Sequence, residues 1–303
     1  MTAPALGRGP AGRATLVVAL SACGFASIPI FVTLATRSGT PLIDVLVGRY
    51  GMAAILLAII AWAAGTRSVG RAGFRVLIVA GILQALIAYV SLLALQYITA
   101  GTLSFLFYTY PAWIAIIARV RHSEPLTRPR LIALALSLAG VLVMVGSPAA
   151  ASLHPTGVAL AFASAILYAV YIPLLGEMQR GLTPPTTAAC MATGAAIVFL
   201  LSKIFGGAPA FHFTTQGIES AAGLAVVSTT ISFMLFLRGL ATLGPVRTAI
   251  ISTIEPFCTA ILGAWFLSQP LTKETLFGGA LIAAAVILLT LRSTADASRG
   301  NSD

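Results

Sequence analysis

The sequence predicts an all-α integral membrane protein: ten transmembrane helices arranged as two inverted five-helix repeats, with both termini cytoplasmic. Three observations carry this. Of 303 residues, 58% are hydrophobic and 9% charged; the apolar residues fall into ten runs of membrane-spanning length; and one motif is written twice, 145 positions apart. A water-soluble surface normally takes about 25% charged residues, so a chain with a mean hydropathy of +0.99 has lipid as its solvent.

The charges set the orientation. A net charge of +10 on a soluble protein would point to nucleic acid, but here the basic residues lie in short connections between apolar runs. With the N-terminus inside, 14 of the 18 Lys and Arg residues fall on the cytoplasmic side, among them Arg67, Arg71, Arg75, Arg119, Arg121, Arg128 and Arg130. Only Arg37, Lys203 and Lys273 fall outside, and Arg49 lies within a span. That asymmetry is the positive-inside signature. The expected partners are membrane lipid and a small-molecule substrate, with no nucleic acid.

Taken in order, residues 1–13 form a cytoplasmic tail and 293–303 a second one. The runs between them are 14–36, 42–64, 74–95, 98–118, 130–147, 155–176, 184–203, 217–240, 246–267 and 274–292. Each is long enough to cross the hydrocarbon core. Leu20-Ser21-Ala22-Cys23 fits a lipobox, but the chain stays apolar for about another dozen residues, which favours a first span over a cleaved leader. Connections this short leave no room for a soluble catalytic domain. Cys23, Cys190 and Cys258 sit singly inside runs, and His122, His154 and His212 sit in connections without metal-ligand spacing. No disulfide framework, metal site or cofactor is expected, and there is no P-loop.

Five runs precede residue 150 and five follow it, so the second half enters the membrane from the opposite side. Residues 89–140 and 234–285 share 13 identities in 52 ungapped positions, including Pro111 with Pro256 and Ser123-Glu124-Pro125-Leu126-Thr127 with Ser268-Gln269-Pro270-Leu271-Thr272. At an offset of 144, Ile28-Pro29 answers Ile172-Pro173. The repeats are 14–147 and 155–292. Duplicated units of opposite topology are the architecture of alternating access, with the substrate near mid-membrane between the repeats.

These repeats, with Gly48-Arg49-Tyr50 in the second run, Leu-Gly-Pro-Val and Ile-Glu-Pro in the ninth, and Pro-Leu-Thr before the tenth, resemble the drug/metabolite transporter superfamily, EamA-type. The resemblance covers residues 14–292. The family usually has Gly-Glu where this chain has Ser268-Gln269 and Ser123-Glu124, and often Trp where it has Phe25. What the resemblance implies is a ten-helix exporter of small metabolites, commonly amino acids, driven by an ion gradient or by the substrate's own gradient. It also points towards YddG-type aromatic amino-acid exporters as neighbours.

Glu255 lies eight residues beyond Arg247, about 12 Å deep at 1.5 Å per residue. A carboxylate at that depth is expensive and faces the bundle interior. It is a candidate for proton coupling or for holding a substrate amine; the alternative is a structural carboxyl at the Pro256 break. Arg49 is a candidate for a substrate carboxylate or, alternatively, a helix tie. Pro29, Pro111, Pro173 and Pro256 each remove a helical hydrogen bond, serving as hinges or as fixed curvature. Tyr89, Tyr108 and Tyr168, with Gln84, Ser104, Thr229 and Ser252, are the candidate cavity lining, since deep phenols and hydroxyls need partners. Such a lining suits an amphipathic solute with an apolar body, such as a large neutral amino acid; the resemblance adds aromatic amino acids to that class.

The resulting expectation is a multi-pass bacterial inner-membrane transporter and not an enzyme. An intramembrane enzyme would need an activated nucleophile or metal pair, and no histidine lies within a run. An uptake carrier or a facilitative channel for another metabolite or drug stays open, because near-symmetric repeats leave direction to the gradients.

Overall fold

The computed structural model describes residues 10–66, 68–94, 97–98, 103, 106–121, 126–145, 154–207, 210–268 and 271–299. Among these there are helices and no strands. The first run is α1 (Pro10–Phe25) and α2 (Ile28–Arg37), and the second is α3 (Leu42–Ala63). The third is α4 (Gly70–Arg75), a π-helical turn Val76–Ala80 and α5 (Gly81–Ala94). Then come α6 (Tyr110–Val120), α7 (Arg128–Val145), α8 (Pro155–Met178) and α9 (Pro184–Phe205). The eighth run is α10 (Thr215–Gly223), a π-helical stretch Leu224–Ile231 and α11 (Ser232–Leu243); the ninth is α12 (Pro245–Ser252) and α13 (Glu255–Leu267); the tenth is α14 (Lys273–Arg299).

Seven stretches among the described residues are long and apolar enough to cross a membrane: Ala11–Arg37, Leu42–Ala63, Gly70–Ser91, Pro155–Met178, Pro184–Phe205, Thr215–Leu243 and Pro245–Leu267. The fourth, fifth and tenth expected runs are represented by α6, α7 and α14. Two boundaries move outward. Helix α1 begins at Pro10, and α14 continues through 293–299, which the sequence reading assigned to a tail. Residues 293–299 contain no Gly or Pro to stop α14, and helices end where such breakers stand. The lipobox-like residues 20–23 lie inside α1.

The prolines do not behave alike. Pro29, Pro111 and Pro256 each stand at the second position of a new helix, just past a break at Ala26–Ser27, Tyr108–Thr109 or Thr253–Ile254. Pro173 stays inside the unbroken α8, so three of the four prolines stand at helix breaks and one lies in a continuous helix. The reason is local. At each break a hydroxyl stands two or three residues before the proline and donates to the carbonyl three residues back: Ser27 to Gly24 (2.7 Å), Thr109 to Leu106 (2.6 Å) and Thr253 to Ile250 (2.6 Å). Each of these carbonyls also accepts the backbone N–H of the same Ser or Thr, so the hydroxyl and the amide together close a tight turn that keeps the polar groups at the break satisfied within lipid. Val170 and Tyr171, at the matching places before Pro173, offer no such hydroxyl: that of Tyr171 reaches Met191 Sδ at 2.8 Å.

The halves pack through each other. Helix α14 lies along α7, α9 along α3, α1 along α11 and α5 along α8. The Leu224–Ile231 stretch packs on α3 while the Val76–Ala80 turn packs on α9, and α12 meets α6. Exchanging the first five runs with the last five maps this set onto itself. Without a hydrophobic driving force between helices in lipid, such contacts depend on close backbone approach. A Cβ on Gly194 would fall 1.9 Å from the Leu77 carbonyl oxygen, and one on Gly140 would fall 2.6 Å from that of Gly278. Both crossings are closed to any larger residue.

Candidate functional site

The largest fully buried side chains are led by three tyrosines, Tyr50, Tyr110 and Tyr171, and they belong to one buried cluster of aromatic and polar side chains. Tyr168 and Tyr171 lie three apart on α8, hence on one face, with rings stacked at 5.9 Å. Tyr110, the first residue of α6, meets Tyr168 edge-on at 4.8 Å. Phe107 fills the corner between Tyr108, Tyr110 and Tyr168 at 5.7, 5.5 and 5.2 Å. A phenol is suited to such a place, because its ring packs while its hydroxyl needs a polar partner.

Glu255 is that partner. It opens α13 directly after the Thr253–Ile254 break, and its carboxyl pairs with the Tyr108 hydroxyl. Tyr110 and Tyr168 are its electrostatic neighbours. The N-terminus of a helix carries partial positive charge, which favours a carboxylate there. Ser252, the last residue of α12, pairs with the Tyr110 hydroxyl and donates to the Thr248 carbonyl at 2.9 Å. Glu255 and Tyr110 occupy equivalent places in the two halves, each opening a helix just past a break.

Across the cluster stands Arg49 of α3, 5% exposed and close enough to Glu255 to act on it electrostatically. Its Nε donates to Thr229 Oγ1 at 2.8 Å, and its guanidinium lies 4.9 Å from the centre of the Tyr50 ring. Thr229 is presented by the π-helical stretch Leu224–Ile231, and π-bulges recur at functional sites because they re-aim one side chain. Gln84 Nε2 donates to the Tyr50 hydroxyl at 3.0 Å, while Gln84 Oε1 is buried without a hydrogen-bond partner. Tyr50 stacks on Phe199 at 5.5 Å.

Of the sequence candidates, the structure therefore gathers Gln84, Tyr108, Tyr168, Thr229, Ser252 and Glu255, with Pro111 and Pro256 beside Tyr110 and Glu255. Tyr89 is not gathered: it is 59% exposed and makes none of the ring contacts of the tyrosine cluster. Ser104 lies outside the described residues. Pro29 is exposed at the start of α2, and Pro173 lines a cleft of about 600 Å³. That cleft opens at the end of the bundle carrying Arg121, Arg130 and Arg180, with Arg121 bridged to Glu177 at 3.1 Å.

The opposite end carries a buried ion pair. Asp44 of α3 and Lys203 of α9 form an ion pair with side chains 0% and 2% exposed. The backbone N–H of His212 donates to Asp44 Oδ2 at 2.9 Å, and the Lys203 ammonium lies 4.8 Å from the Phe211 ring centre. Beside it, Thr214 Oγ1 joins Ser38 at 2.5 Å and Thr40 at 3.0 Å. Sequence reasoning assigned Lys203 to the outer connection and missed this pair, as it missed Tyr50, Tyr110 and Tyr171 as members of the cluster. Two signals were present: Lys203 closes its run without a breaker before it, and Tyr110 is the repeat counterpart of Glu255.

Seven apolar helices of membrane length among the described residues, packed around a buried cluster of tyrosines, Arg49 and Glu255, define a multi-pass membrane protein. The chain belongs to the EamA-like transporter family, whose model matches it twice, over residues 12–146 and 155–291. An uncharacterised transporter of Archaeoglobus fulgidus is 27% identical over 196 residues, 64% of this chain and 68% of that protein. The threonine/homoserine exporter RhtA of Escherichia coli (strain K12) is 31% identical over 134 residues, 43% of this chain and 44% of that protein. The chain thus spans about two thirds of the first relative and under half of the second. A solved crystal structure with 17% identity shares the fold, at a TM-score of 0.78 over 92% of this chain and 96% of that one.

Proposed function

We propose that the protein is an inner-membrane secondary transporter that exports α-amino acids, large neutral or aromatic ones above all, by alternating access between repeats 14–147 and 155–292. The observation that carries this reading is the placement of the buried Arg49 guanidinium and the Glu255 carboxyl within one cluster of tyrosines. A zwitterion offers a carboxylate to the guanidinium and an ammonium to the carboxylate. Its side chain then lies against Phe107 and Tyr168. Desolvating both charges of a zwitterion is costly unless each is paired, and here each has its counter-charge.

Several features support the same reading. The fourteen-to-three distribution of Lys and Arg supports a cytoplasmic side for the 600 Å³ cleft and for both termini. Substrate would enter through the cleft while the Asp44–Lys203 end is shut. The pairing of the halves through each other fits ten spans related by an in-plane two-fold axis. RhtA, matched over part of the chain, is named for exporting amino acids. Glu255 is the group that would take a proton as coupling ion, since it is the cluster's carboxylate.

The test is counterflow in liposomes holding the purified protein, screened across the proteinogenic amino acids with and without a pH gradient. Saturable exchange of one or more neutral amino acids is expected. Absence of saturable exchange for every amino acid would overturn the assignment.

A further inference from the structure

Cys23 of α1 and Cys258 of α13 come from opposite halves of the chain, 235 positions apart, yet their Sγ atoms lie 2.8 Å from one another. Both are free thiols and both are half-buried. The third cysteine, Cys190, is buried and stands apart from this pair. Around the pair, the two helix breaks are already tied together. The Ala26 carbonyl, released by the break before Pro29, accepts from Thr259 Oγ1 at 3.3 Å. Thr259 follows Cys258 directly, and Cys258 sits one turn along α13 from Glu255.

We infer that Cys23 and Cys258 form a redox modification site, whose oxidation to a disulfide pins the broken first span to the broken ninth span and stops the transport cycle. The sulfurs are in contact at 2.8 Å, so closing to the roughly 2.05 Å of a disulfide asks for a movement of under about 1 Å between them. The oxidant is a small peroxide, which crosses lipid and reaches half-buried thiols. One thiol, as thiolate, attacks a peroxide oxygen and breaks the O–O bond. This gives a sulfenic acid and, with one proton, water. The second thiol attacks the sulfenic sulfur, forms the S–S bond and expels the hydroxyl as a second water. Two thiols and one hydrogen peroxide thus become one disulfide and two waters, with the two electrons passing to the peroxide. The bond joins the first repeat to the second, and in a rocking cycle these are the parts that move against each other. The functional half of the inference therefore rests on the alternating-access reading above.

The experiment treats the full-length protein in liposomes with hydrogen peroxide, alkylates the remaining thiols and maps the peptides by mass spectrometry. A Cys23–Cys258 linked peptide is expected, with Cys190 recovered alkylated. Counterflow should be lost on oxidation and restored by a thiol reductant. Cys23→Ala and Cys258→Ala should keep their counterflow in peroxide. Hydrogen exchange at residues 26–28 and 253–255 supplies a readout independent of substrate and should slow on oxidation in the parent protein alone. Absence of the linked peptide, or a linked peptide with unchanged counterflow and unchanged exchange, overturns the proposal. If no amino acid shows counterflow, the linked peptide with slowed exchange still upholds the site while the substrate assignment falls.

Discussion

Removing the ammonium from Lys203 tests how the Asp44–Lys203 end of the bundle is held. In Lys203→Met the stem is largely kept and the charge is lost, leaving the Asp44 carboxylate 0% exposed with the His212 N–H as its remaining partner. Breaking one side of a buried ion pair typically costs about 3–5 kcal/mol, because the orphaned charge pays its full desolvation. Replacing both partners by apolar groups of similar volume is near neutral or stabilising. Lys203→Met alone should therefore be destabilised by about 3–5 kcal/mol, and Asp44→Leu with Lys203→Met should recover most of that loss. Thermal unfolding in detergent reads the order of the melting temperatures: parent and double variant close together, single variant well below. That end should also loosen, so a cysteine placed at Phe211 should react faster with a water-soluble thiol reagent in the single variant. A single variant as stable as the parent, or a double variant as unstable as the single, would refute the reasoning that this pair is dry and mutually dependent.

Glu255→Gln keeps the volume and the hydrogen bonding to Tyr108 but removes the charge; transport should fall and the residual flux should no longer respond to a pH gradient in the liposome assay. Arg49→Gln removes the guanidinium that the proposed function sets against a substrate carboxylate; counterflow should show a raised KM for amino acids, with decarboxylated amines as competitors affected less. Gly194→Ala would place a methyl 1.9 Å from the Leu77 carbonyl, and such overpacking of a crossing typically costs about 1–3 kcal/mol; the melting temperature in detergent should drop, whereas Gly51→Ala, which meets open space, should melt like the parent. Tyr89→Phe should transport as the parent does, while Tyr168→Ala should lose affinity for aromatic substrates most.

The three helix breaks illustrate how much of the fold was legible. Proline positions alone suggested four equivalent sites. The distinction between Pro173 and the other three was also written in the chain, as a Ser or Thr two or three residues upstream, but it has meaning only once the carbonyl and the hydroxyl that closes on it are seen in space. The cluster was half legible. Depth along a run marked Glu255, and the scarcity of other buried carboxylates made it conspicuous. Nothing in the runs separated Tyr89, which is exposed, from Tyr110 and Tyr171, which are buried.

Lipid as the solvent, the ten apolar runs, the side on which arginines gather and the duplicated motif all follow from composition and one-dimensional pattern. They do so because burying an unpaired backbone or a charge in hydrocarbon is so costly that each segment must satisfy itself. The facing of each helix followed a different rule. An apolar helix in lipid looks much the same on every side, so its inward face is chosen by close packing, as at Gly81 and Gly194, and by rare polar partners. That choice put Lys203 against Asp44, Arg49 opposite Glu255 and Cys23 on Cys258. Each pair joins the first half of the chain to the second, and such contacts exist only when the two halves are folded together.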